Sequence, residues 1–94
     1  MVTASGPLPG AELVEEGLRA LALGEESVAA LVVRIGAPRL RALGCPVPES
    51  AGDRAPEHLL YERLAAVDPD AAHSRYNALI RRLVSFEHAL ACAR

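Results

Sequence analysis

The stretch PDAAHSRYNALIRRLVSFEHALACA, Pro69 to Ala93, decides how the chain is read. Within it Ala72, Tyr76, Leu79, Leu83, Phe86, Leu90 and Ala93 recur at alternating steps of four and three residues. That spacing puts all seven on one side of an α-helix and forms a heptad-like seam, flanked by Ile80 and Val84. Asp68-Pro69-Asp70 supplies the start: a capping carboxylate, a proline suited to the first helical position, and a second acid at the positive end of the dipole. At 1.5 Å per residue a helix over 69–93 would be about 37 Å long.

Working outward, the segment before it repeats the pattern in shorter form. Pro56 to Val67 reads as a helix that buries Leu60, Leu64 and Val67. Between Gly44 and Ala55 lies an irregular stretch, in which Cys45-Pro46-Val47-Pro48 favours extended geometry and Ser50 to Arg54 reads as a mobile turn. Further upstream, Ala11 to about Leu23 carries Leu13, Val14, Leu18 and Leu21 at helical spacing and closes at Gly24. Gly17, in mid-helix, marks a point where another helix approaches closely. Glu25 to Ile35 predicts a second helix, with Val28, Leu31, Val32 and Ile35 inward and Gly36 as its stop. A short third helix, Pro38 to Leu43, follows and closes at Gly44. Met1 to Gly10 reads as a flexible leader, and residues 11–94 as a single helical domain.

The expected fold class is therefore all-α: a small bundle of four to five helices with a long C-terminal helix. Composition agrees. Ala and Leu supply most of the 51% hydrophobic content, while the aromatics are Tyr61, Tyr76 and Phe86 alone. Every strong cation is an arginine, since Lys is absent, and Gln and Trp are absent too. The arginine bias reads as a GC-rich bacterial coding sequence. A net charge of −2 speaks against a dedicated nucleic-acid binder. Two cysteines make no disulfide framework, no secretory signal is visible at the N-terminus, and no apolar run approaches the ~20 residues of a membrane span. These point to a cytoplasmic protein with reduced thiols.

Four groups of residues can be weighed for chemistry. His88 and Cys92, at i and i+4 on one helix face, could clip a metal, but no further ligands stand at suitable spacing. They are weak candidates, and neither metal nor cofactor is expected. His73, Arg75 and Asn77 form a polar cluster with Ser74 and Tyr76, and Asn77, a poor helix former, is the member most suspected of a specific contact. Arg34, Arg39 and Arg41 surround the turn Ile35-Gly36-Ala37-Pro38, which could join the two halves of a helix-turn-helix. The segment after that turn lacks Asn, Gln, Ser and Thr to read bases. The seam residues Tyr76, Leu79, Leu83, Phe86 and Leu90 are the fourth group. A helix longer than the domain would carry Phe86 and Leu90 past the core, where a second copy or another protein would cover them. The expectation is a protein–protein interaction module, an adaptor or regulatory subunit, self-associating through its last helix. A DNA-binding regulator using Arg34, Arg39 and Arg41 is the alternative. No catalytic motif is present, so an enzyme is not expected.

Overall fold

A computed structural model describes residues 8–49 and 54–93. Four helices account for all the regular structure among them: α1 (Ala11–Ala22), α2 (Val28–Ala42), α3 (Pro56–Val67) and α4 (Ala72–Ala93). Residues 1–7 of the leader expected over Met1–Gly10, and residues 50–53 of the turn expected over Ser50–Arg54, lie outside the described residues.

The centre of the bundle is α2, which packs against each of the other three helices, whereas α1 and α3 do not meet. Its five consecutive residues Ala29, Ala30, Leu31, Val32 and Val33 are all buried. This first part of the helix is enclosed on every side and needs no polar face, so its run of valines is a property of its position and not of a strand. Ser27 caps it, accepting a hydrogen bond from the Ala30 amide at 3.1 Å. The helix thus begins three residues later than the Glu25 start expected from sequence.

The larger correction is at its other end. Gly36 does not stop the helix and Pro38 does not start a new one: α2 runs through both to Ala42. Gly36 is buried where α4 crosses, and a Cβ placed on it would lie 2.9 Å from Leu83 Cδ1. Its smallness serves the crossing, not a turn. Pro38 sits exposed, where its ring projects away from the core. The expected helices two and three are therefore one, and the bundle has four helices.

Both α1 and α2 close in the same way. After α1, Gly24 adopts φ +73°, its amide bonds to the Leu21 carbonyl and the Glu25 amide reaches back to the Ala20 carbonyl. After α2, Gly44 adopts φ +95°, with the Cys45 amide on the Leu40 carbonyl. These are paired left-handed caps that glycine adopts without a steric penalty.

The last helix also starts three residues later than expected, at Ala72. The Asp68 carboxylate still caps, accepting from the amides of Asp70 and Ala71, but those residues form a hydrogen-bonded turn ahead of the helix. With 22 residues α4 is the longest element, about 33 Å. The molecule extends 42 Å along its longest principal axis.

Candidate functional site

The heptad-like seam of α4 faces the chain's own core. Ala72, Leu83 and Phe86 are buried, and Tyr76, Leu79 and Leu90 are half-buried against the same cluster; Ala93 is exposed. Phe86, expected at an interface between copies, is only 8% exposed. The start of α1 covers it. Gly10, at φ +77°, lies so close to α4 that a Cβ on it would stand 3.3 Å from Phe86 Cβ. Leu8, just before it, packs on the core as well. The apolar demand that suggested a partner at the C-terminal end of α4 is met inside the chain.

The arginine group is divided. Arg41 is spent on structure: its Nε and one terminal nitrogen donate to the Val47 carbonyl, each at 3.2 Å, and the latter also reaches Pro48. This holds the proline-rich segment on α2. Arg34 is half-buried and Arg39 exposed. The turn required by a helix-turn-helix is absent, because Ile35 to Pro38 lies inside α2.

In the polar cluster, Asn77 finds its contact on its own helix. Its Nδ2 lies 3.2 Å from His73 Nε2, one turn back. Tyr76 turns the other way, its ring centroid 6.0 Å from that of Tyr61 on α3. Burial, reinforced by the nearby Glu57 charge, pushes the Tyr76 hydroxyl pKa up. His88 and Cys92 are both exposed, and no group of three metal-binding side chains occurs among the described residues. Cys45 is half-buried, which raises its thiol pKa and makes it a poor nucleophile.

Arg75 belongs to a site that the sequence did not reveal. It lies on the rim of an open groove of about 440 Å³ where the start of α2, the end of α3 and the N-terminal half of α4 converge. Val28, Leu64, Ala78 and Leu79 line the groove, and Arg75 and Arg82, two turns apart on α4, border it. Val67, one turn beyond Leu64 along α3, is 76% exposed. The groove pairs an apolar floor with fixed positive charge and presents no nucleophile, acid–base pair or ligand set. Its chemistry is that of a contact surface. Only Leu79 and Arg75 were marked by sequence, since Val28 and Leu64 reach the groove through tertiary packing.

Compared with known proteins, the chain matches no family model, no curated protein and no solved structure. Among the described residues, no helix is long and apolar enough to cross a membrane.

Proposed function

We propose that this chain is a small helical protein–protein interaction module, an adaptor or regulatory subunit that associates through its C-terminal helix. The contact surface is the groove at the N-terminal half of α4. One observation carries this reading: an open groove is lined by the apolar Val28, Leu64, Ala78 and Leu79 together with Arg75 and Arg82. Apolar surface rimmed by arginine is the composition of an interface centre, where arginine is enriched and its planar group stays weakly hydrated. Nothing in the groove favours DNA, and Arg41, one of the three arginines of that alternative, is held by backbone carbonyls.

Ala78 is exposed in the groove, so Ala78→Glu introduces charge there without disturbing the core. Val84, 44% exposed on α4 and outside the groove, provides the control Val84→Glu. The experiment is quantitative affinity capture from the native host, with a differently tagged second copy of the chain co-expressed. Capture lost with Ala78→Glu and kept with Val84→Glu supports the reading. Capture unaffected by Ala78→Glu overturns it.

A further inference from the structure

Two of the three aromatic side chains of the protein, Tyr61 and Tyr76, meet between α3 and α4, with ring centroids 6.0 Å apart and planes inclined at 55°. They are not sealed in the core. Tyr61 is 41% exposed and Tyr76 half-buried, and both line an open depression of about 310 Å³ with Glu57, His58 and Glu62. Glu57 and Tyr61 stand four residues apart on α3, as do His58 and Glu62, so helical spacing gathers them on one side. The depression shares no lining residue with the groove that carries Val28 and Leu64.

One carboxylate in the depression is left for a ligand. Glu62 is committed to its ion-pair partner Arg54. The Glu57 carboxylate is exposed and, among the described residues, has no hydrogen-bond or ion-pair partner. Its charge is felt at the rings: after burial, it is the second cause that raises the Tyr76 hydroxyl pKa. Arg75, next to Tyr76 in sequence, borders the groove instead, and His73 is hydrogen-bonded to Asn77. The face of an aromatic ring is the negative part of its quadrupole, so two rings beside an unpaired carboxylate attract a cation together. Among the described residues no arginine stacks on either tyrosine, so the chain itself leaves that attraction unused.

We propose that Tyr61, Tyr76 and Glu57 form a binding site for an organic cation, an alkylammonium or guanidinium group that lies against the tyrosine rings with its charge toward the Glu57 carboxylate. The same chemistry comes from a free small cation or from a basic side chain of another protein. The site is independent of the groove as a contact surface.

Intrinsic tyrosine fluorescence reads this site directly, because the chain has no tryptophan and its two tyrosines are the site's own. The full chain is titrated at about pH 8, above the ordinary imidazole range, and at constant ionic strength. The probes are tetramethylammonium and, separately, N-acetyl-arginine amide, with tert-butanol and N-acetyl-citrulline amide as their uncharged counterparts. Both cations should change the emission saturably, and neither counterpart should. Glu57→Gln and Tyr61→Leu, at exposed positions, should each raise the dissociation constant about threefold or more, with folding verified by circular dichroism. Glu16→Gln, on the exposed side of α1, should leave it unchanged. Tighter binding of the arginine amide assigns the site to a protein side chain, and tighter binding of tetramethylammonium assigns it to a free small cation. The absence of a saturable response to either cation, an equal response to the uncharged counterparts, or full affinity in both Glu57→Gln and Tyr61→Leu would each overturn the proposal.

Discussion

Gly17 of α1 lies directly over the backbone of Ala29 in α2: a Cβ placed on the glycine would stand 2.4 Å from the Ala29 carbonyl oxygen and 2.4 Å from Val33 Cγ2. The two helices meet backbone to backbone, and no rotamer change can make room for a methyl group. Gly36 is different, because the atoms facing it are the Leu83 methyls and Glu87 Oε2, tips of side chains that can turn. Gly17→Ala should therefore destabilise by about 2 kcal/mol or more despite the better helix propensity of alanine. Gly36→Ala, with propensity offsetting the crowding, should cost less than about 1 kcal/mol. Urea midpoints of the two variants check this; equal losses would mean that the α1–α2 crossing is looser than its geometry.

Leu83 is 3% exposed, packed into the cluster that α2 and α4 share. Leu83→Ala should lose about 2–5 kcal/mol through the cavity it leaves. Arg82→Ala, on the exposed side of the same turn, should change stability by under about 0.5 kcal/mol. Denaturant titrations in which the two variants behave alike would place α4 in the wrong rotation.

How far this was legible in sequence differs from element to element. The seam of α4 was legible because a helix buried on one side must repeat its apolar residues with the helical period. Gly17 was legible as a close approach for a similar reason: nothing else explains a glycine between Glu16 and Leu18 in an otherwise regular helix. Gly36 carried two incompatible meanings, a stop or a crossing point. Only the position of Leu83 decides between them, and that information belongs to another helix. The end of α4 misled for a related cause. Helix length can be counted from sequence, but the docking of Gly10 onto the Arg82 carbonyl and Phe86 cannot. The groove was half visible, with Arg75 and Leu79 marked and Val28 and Leu64 hidden in other segments.

Glu87, 6% exposed, is the one buried charged residue among those described. Desolvation raises its carboxyl pKa, opposed by the Arg39 and His88 charges. A carboxyl whose folded-state pKa lies above its unfolded value favours folding most in its protonated form. Its contribution is thus fully present below the ordinary carboxyl range and is lost as pH rises through the raised value. Glu87→Gln should be more stable than the natural sequence at neutral pH, and the difference should vanish in acid. Thermal midpoints across that range check it; a variant that is less stable at neutral pH would show that the carboxylate is favourably paired.

Arg41 spans from α2 to the Val47 and Pro48 carbonyls with a fork that a single ammonium does not reproduce. Arg41→Ala should destabilise by about 1 kcal/mol, and Arg41→Lys should recover less than half of it. Full recovery by lysine in a denaturant titration would show that charge alone, not the two-pronged contact, holds the segment.

Self-association through the groove on α4 can be followed residue by residue in the amide chemical shifts of isotopically labelled protein along a dilution series. Concentration-dependent shifts should be concentrated at Val28, Leu64, Arg75, Ala78, Leu79 and Arg82, with the Phe86 to Leu90 segment unmoved. Shifts gathered instead around Phe86 and Leu90, or none at any concentration, would contradict it.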